Sequence, residues 1–497
     1  MVELATSLLL GIALRSPCAV AAAGAMDEEQ PLMPSRAPPR TSSQQRRHER
    51  TLFVHWLAAA VDGADKRLLA ALFRALEASF GFGPADLGML MVGQNLALAL
   101  SAPVWGQLAD ASRERIRLLA AGSALWGLWT ALFAGATSFY QMLALRVLTG
   151  AALSAVTPIS QSVVADIATA EQRGRQFGLI GASDNLGSLL GGIFATTVGG
   201  TMVGALDGWR FVFLVLAAVS FVLAAIAPCV ATDPRADAPR AADGGARGLR
   251  GQLRSGWRKA AETFRVRTFL LIVSQGIFGS VPWNALSFST MWLQYVGFSD
   301  ATASLVTGMA ILGVCLGNIL GGYLGDAAAA RLPDTGRVRV AQTSVALGTL
   351  LQPVILYGLP WDPNWAPAYG FVFFLQGLVC SWCFAATNRP IFSELVPPAS
   401  RASLLSWAVA VEGASASIFG APVVGLLAEK VFGYTPRRGE VGALGEAVKA
   451  RNAAALAHAM LYMTVVPWIC CFLLYNLVVY TYGPDRDAVR KQSEGKA

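Results

Sequence analysis

Charge is scarce in this chain of 497 residues. Asp, Glu, Lys and Arg make up 14% of it, against 54% hydrophobic residues, and the mean hydropathy is +0.50. A soluble chain of this length carries about a quarter charged residues. Histidine is rarer still, with three in all, of which His48 and His458 fall near the ends of apolar runs. That leaves too few ligands and bases for a catalytic or metal-binding constellation, so an enzyme is disfavoured and no metal or other cofactor is expected. The glycine-rich lysine loop that grips nucleotide phosphates is missing, which argues against ATP-driven transport by this chain. The seven cysteines form no extracellular framework: Cys380 and Cys383 spell C-x-x-C, but inside the apolar run FVFFLQGLVCSWCFA, a poor setting for redox or zinc chemistry. N-x-S/T sequons are absent as well.

What is abundant is the apolar run of about 20 residues, the length that crosses a bilayer as a helix. Such runs recur about a dozen times, so the chain reads as an all-α polytopic membrane protein. The expected spans, numbered 1 to 12, are 51–75, 86–107, 116–136, 140–165, 176–200 and 211–231, then 268–293, 302–325, 338–358, 368–394, 402–428 and 458–481. The formal charge of +8 is not gathered on one element. Arg46, Arg47 and Arg50 precede span 1, Arg113, Arg115 and Arg117 follow span 2, Arg331, Arg337 and Arg339 follow span 8, and Arg490 and Lys491 lie in the tail. The short loops on the other side, 137–140, 297–300 and 361–365, are nearly free of base. This asymmetry places both termini in the cytoplasm and leaves no role for nucleic acid. The 433–456 loop, with Arg437, Arg438, Lys449 and Arg451, dissents; it is long and partly balanced by acids.

Residues 232–267, rich in Pro, Gly and Arg, divide the spans six and six. The expected organisation is an N-terminal extension (1–50), a six-helix bundle (51–231), a cytoplasmic linker (232–267), a second bundle (268–481) and a tail (482–497). The halves repeat each other. GQLAD at 106–110 and GYLGD at 322–326 share Gly-x-x-x-Asp at the same ends of spans 2 and 8. Asp166 and Glu394, Arg173 and Arg401, and Asp184 and Glu412 are each 228 residues apart. Two equivalent halves facing each other are the plan that puts a substrate site near the bilayer midplane, reached alternately from either side.

Those loops, together with the RVLTG…P pattern of span 4, resemble the major facilitator superfamily over about residues 50–482. VTPISQSVVAD, NLGSLLGGIF, DGWRFVF, LGGYLGDAAAARLPDTGR and NRPIFSELVP resemble more narrowly a plant and algal branch related to spinster-like transporters. The resemblance implies a 12-helix fold in two pseudo-symmetric bundles. The chain departs from the family pattern where ASRER follows Asp110 and AAAAR follows Asp326, and where GAALSAV of span 4 lacks the glutamate of spinster-like proteins.

Charges inside the spans are the candidate site. In VDGADKRLL, Asp62, Asp65, Lys66 and Arg67 interrupt an apolar stretch. At 100° per residue His55, Asp62, Asp65 and Lys66 share one helix face, while Arg67 points elsewhere. Lipid exposure of such groups costs several kcal/mol, so that face is expected toward the bundle interior, as a salt bridge to neighbouring helices or as a cavity-facing site. Arg146, sharing a stripe with Gly150, Thr157 and Gln161, needs an acidic partner, for which span 1 is the natural source. Asp184 lies on a stripe with Gly187 and Gly191, and Glu412 precedes GASAS; small residues there permit close helix approach. Carboxylates in partly dry cavities are suited to exchanging protons, so Asp62, Asp65, Lys66, Asp184 and Glu412 form the candidate coupling set. Arg146, Thr157, Gln161, Asn284 and Arg389 are candidate substrate contacts, with Trp283, Phe288 and Trp292 as possible walls or simple packing. Gly106, Asp110, Gly322, Asp326, Asp166, Arg173, Glu394 and Arg401 are candidate gating residues at helix ends. Pro158, Pro282, Pro353 and Pro390 supply helix breaks.

The extension opens on a short apolar run over 4–14, but Glu3 stands where a signal peptide is basic, and Asp27, Glu28 and Glu29 argue against a transit peptide. A start at Met26 would leave a cytoplasmic tail in which EEQPLM faintly resembles an acidic dileucine sorting signal. The expectation is a monomeric multi-pass carrier in a plasma or endomembrane bilayer. It would move a small organic solute, anionic or zwitterionic, with protons; the alternatives are a uniporter or a transporter-shaped receptor.

Overall fold

The computed structural model describes residues 42–168, 170–235, 266–395, 401–439 and 441–494. By contacts the chain divides into Met1–Gln45 and Arg46–Ala497, and the helical fold belongs to the second unit. Most of the extension and the central 236–265 of the linker lie outside the described residues.

Backbone polar groups inside lipid find no water, so each apolar run must satisfy its own as a helix. The described helices follow the twelve expected spans. Span 1 runs Ser42–Ala71 and continues as Phe73–Phe80, span 2 is Pro84–Ala111, span 3 Arg115–Ala134, span 5 Ala170–Gly199 and span 6 Gly208–Val230. Span 8 is Asp300–Arg331, and the last helix, Glu446–Glu494, extends well beyond the bilayer at both ends. Nine helical stretches among the described residues are long and apolar enough to cross a membrane on composition alone. Spans 1, 5 and 10 fall short of that measure for visible reasons: the charges of span 1, Asp184, Asn185 and the glycines of span 5, and the turn at Ser381 that divides span 10. One departure from an all-helical reading is a two-stranded hairpin, Met202–Val203 with Leu206–Asp207, between spans 5 and 6.

Several ends are written in the local sequence. Pro84 opens span 2 at a position that needs no N–H. Ser138 and Ser299 cap spans 4 and 8 by accepting from the backbone N–H of Gln141 and Thr302. Breaks accompany the expected prolines. Span 4 divides into Phe139–Leu153 and Val156–Ile167, because Pro158 has no N–H to return to the carbonyl of residue 154. A π-turn, Val354–Gly358, follows Pro353, and another, Phe384–Asn388, precedes Pro390.

Glycines set how closely helices approach. A Cβ on Gly63 would fall 1.9 Å from the carbonyl oxygen of Asp184, and one on Gly187 1.8 Å from that of Ala60, so spans 1 and 5 touch backbone to backbone. In the second half Gly313, Gly317, Gly321 and Gly325 line the face of span 8 that meets span 10. Aromatic side chains fill the layers beyond: Trp126, Phe133, Trp209 and Phe213 are fully buried in the first bundle, Trp292 and Tyr369 in the second.

Candidate functional site

A cavity of about 450 Å³ lies among spans 1, 5, 7, 8, 9, 10, 11 and 12, so both halves wall it. Arg67 and Asn185 come from the first half. Gln275, Trp283, Asn318, Gln376, Asn388 and Glu412 come from the second. Cys380, Cys383 and Cys471 also face it, and no group of potential metal ligands occurs among the described residues. Arg67 and Glu412 are half-buried, and neither has a hydrogen-bond or ion-pair partner among the described residues. The Glu412 carboxylate instead lies against span 7, where a Cβ on Gly276 would meet it at 2.2 Å.

The other charges of span 1 are matched. Lys66 Nζ lies 2.8 Å from Asp62 and 3.0 Å from Asp184, so one cation holds an acid of its own helix and one of span 5. Asp65 is fully buried; it accepts from Gln94 of span 2 and, at 3.3 Å, from Trp126 Nε1 of span 3. Gln94 in turn accepts from Arg146 of span 4, whose guanidinium also lies 5.5 Å from the centre of the Phe133 ring. His55 pairs with Ser160 at 2.9 Å. Along this stretch span 1 is thus tied by polar contacts to spans 2, 3, 4 and 5.

Where spans 1 and 7 end, away from the linker, a second network closes the molecule. Glu77 is fully buried and accepts from Tyr295 at 2.8 Å, from Tyr434 at 2.8 and 2.9 Å, and from the backbone N–H of Arg437 at 3.0 Å. Arg74 donates to the carbonyls of Arg437 and Gly439, Arg438 to that of Phe80, and Glu429 accepts from the backbone of Ala85 at 2.9 Å. These bonds join the first half to the second. Among the described residues, the hydrogen bonds between halves gather at this far end.

At the linker end the bonds stay within a half or reach the linker. Arg115 holds Asp233 at 2.6 Å and Asp166 at 2.8 Å, and Arg235 meets Asp166 at 2.7 Å. Burial alone would raise Asp233, but the hydrogen bonds from Arg115 and the backbone outweigh it and hold this carboxyl below its ordinary range. In the second half Asp326 pairs with Arg337 at 2.8 Å, Arg486 with Asp334 at 2.7 Å, and Glu394 accepts from Tyr482.

The sequence model of the Major Facilitator Superfamily matches residues 55–326, more than half of the chain. The chain belongs to the Major Facilitator Superfamily. A stretch of 181 residues is 34% identical to a multidrug resistance protein B homolog of Mycobacterium tuberculosis, covering 36% of this chain and 32% of that one. Another of 177 residues is 28% identical to the 4-hydroxybenzoate transporter PcaK of Pseudomonas aeruginosa, covering 36% and 38%. The match thus spans about a third of the length of each of these relatives. Among solved structures, a bacterial homolog of the human lysosomal transporter Spinster superposes with a TM-score of 0.74 at 19% identity, over 88% of this chain and 98% of that one. At that identity the likeness establishes the shared fold.

Within this superfamily member the charged residues of the spans are sorted differently from the sequence expectation. The face of span 1 carrying Asp62, Asp65 and Lys66 is engaged by neighbouring helices, whereas Arg67, expected to point elsewhere, lines the cavity. The break in span 4 separates buried Arg146 from Thr157 and Gln161, which are exposed, and none of the three lines the cavity. Asn284 is displaced in favour of its neighbour Trp283, while Phe288 and Trp292 are core. Arg389 is exposed and stacks 4.1 Å from the Phe384 ring centre instead of entering the cavity. Gly322 has open space where a Cβ would go and Gly106 nearly so; the close approach belongs to Gly325, where a Cβ would lie 2.8 Å from Ala386. The side chains of Asp110, Arg173 and Arg401 lie outside the described ones.

Sequence reading missed Gln94 and the whole Glu77 network. Gln94 looks like any amide, and Glu77 stands two residues past the expected end of span 1. One signal was available: the basic 433–456 loop that broke the charge rule. That loop reaches back to the ends of spans 1 and 7: Tyr434 meets Tyr295, the backbone N–H of Arg437 meets Glu77, and the Arg438 guanidinium donates to the carbonyl of Phe80.

Proposed function

We propose that this chain is a secondary active transporter that moves a small organic solute by alternating access, coupled to protons. The observation that carries the reading is a cavity walled by both halves and sealed at one end by the Glu77 network. With both termini in the cytoplasm, the sealed end faces away from it, and the arrangement is the inward-facing half of a transport cycle. Rocking the halves would break the far-end bonds and close the linker end, with Asp326–Arg337 and the Arg115–Asp166 cluster as the contacts that rearrange. Glu412 is the coupling candidate: it stands on the cavity wall with no cation among the described residues to fix its charge, so it can take up and release a proton as access alternates. Asp184, its mate in the repeat, is held by Lys66 and serves to lock spans 1 and 5.

The test is flux in proteoliposomes carrying a pH dye, with pooled organic acids, amino acids, sugars and lysolipids offered on one side. Wild type is expected to move protons with one pool, Glu412→Gln to lose that movement, and Asp184→Asn to keep it at a reduced rate. Labelled solute that crosses without protons makes the protein a uniporter, and binding without flux makes it a receptor.

A further inference from the structure

Two charges in the central cavity are left without a counterion among the described residues. Arg67 belongs to span 1 and Glu412 to span 11, so each half contributes one, and they are not in ion-pair contact with each other. Their neighbours are spoken for: Asp62 and Asp184 share Lys66, and Asp65 is taken by Gln94 and Trp126. The repeat makes the contrast plain. Asp184 and Glu412 occupy matching places 228 residues apart, yet Asp184 meets a cation and Glu412 meets Gly276.

An unpaired ion in a partly dry cavity is costly, and one of each sign doubles the cost without cancelling it. A ligand carrying both charges would relieve the two together. The same wall carries neutral polar groups: Gln376, whose amide N–H is donated to Gln352, and the Ser381 hydroxyl, which in a residue only 8% exposed has no hydrogen-bond partner among the described residues. Other parts of the wall are apolar and aromatic, from Trp283, Phe373 and Trp468. A volume of about 450 Å³ suits a small solute.

We infer that the cavity takes a small zwitterion of the amino-acid type, with its carboxylate on Arg67, its ammonium on Glu412 and an apolar or aromatic side chain against Trp283 and Trp468. Arg67 is suited to the carboxylate because its planar fork donates two parallel hydrogen bonds. Binding would draw one group from each half toward a common ligand, which is how occupancy would favour closure. The inference rests on the transport reading only in taking this cavity for the substrate site.

Equilibrium binding to the purified full chain in detergent tests it, with L-phenylalanine, L-leucine, 3-phenylpropionate (no ammonium) and 2-phenylethylamine (no carboxylate) as probes. At least one amino acid is expected to bind about tenfold or more tightly than either one-charge analogue, the discrimination a single charged contact supplies. Arg67→Gln should remove amino-acid and phenylpropionate binding alike, with Arg67→Lys restoring part of it. Glu412→Gln should weaken the amino acid about tenfold and leave phenylpropionate unchanged. Thermal unfolding of each variant establishes that it is folded, and Arg67→Lys against wild type carries the comparison if Arg67→Gln is not. The inference is overturned if a one-charge analogue binds as tightly as the amino acids, if no amino acid binds, or if folded variants bind as wild type does. Amino-acid binding that follows this pattern without counterflow in proteoliposomes removes the transport reading and keeps the ligand class. Counterflow confined to singly charged solutes does the reverse.

Discussion

The Tyr434 hydroxyl lies 2.8 and 2.9 Å from the two oxygens of Glu77, joining the loop after span 11 to the end of span 1 across the two halves. Glu77 is fully buried, so every donor it loses leaves acceptor capacity that water cannot fill. Tyr434→Phe should weaken the far-end closure by about 1–3 kcal/mol. Spin labels on Met202→Cys and Trp365→Cys, in exposed far-end loops of opposite halves, would read the result as a longer, broader distance distribution. An unchanged distribution would mean that the other far-end bonds, from Tyr295, Arg437 and Arg74, hold this end without Tyr434.

Lys66 is the common cation of Asp62 and Asp184. Removing it by Lys66→Gln leaves buried Asp62 and part-exposed Asp184 facing each other where spans 1 and 5 touch; because Lys66 itself is 40% exposed, the loss should be about 1 kcal/mol. The melting temperature in detergent should fall. Adding Asp184→Asn to Lys66→Gln should recover part of the loss, because fewer charges are then left unmatched. Strict additivity would show that Lys66 and Asp184 do not interact.

Arg146 and Arg67 are both arginines within spans, but their substitutions should diverge. Arg146 reaches Asp65 through Gln94 and is buried among Phe133 and Phe213, so Arg146→Gln or Gln94→Leu should cost about 3 kcal/mol or more and sharply reduce folded yield. Arg67→Gln should melt close to wild type and lose ligand. The reverse pattern in thermal melts would exchange their roles.

Asp233 supplies a pH dependence outside the bilayer. Its carboxyl is held below the ordinary range, because bonds from Arg115 outweigh the cost of burial. Its stabilisation is therefore complete above the unfolded value of about 3.9 and is lost as pH falls through the lower folded value. Asp233→Asn should lower the melting temperature at neutral pH, and the gap to wild type should close in acid. A gap that persists unchanged below about pH 3 would place the stabilisation elsewhere.

Apolar length alone determined the number and rough position of the helices, because lipid leaves a backbone no other way to satisfy its hydrogen bonds. The 228-residue register exposed the two halves, and the prolines marked the breaks in spans 4, 9 and 10. The small residues beside Asp184 announced a close helix approach there, and the structure supplies span 1 as the partner. Which charge meets which was decided only by the tertiary structure. Helical periodicity gives a direction around one axis, but not the neighbour waiting there; spans 2, 3, 4 and 5 took up His55, Asp65 and Lys66, Lys66 also held Asp62 of its own helix, and the cavity was left to Arg67. Glu77 and Tyr434 stand 357 residues apart in sequence, and only packing the two bundles brings that acid and its donors together.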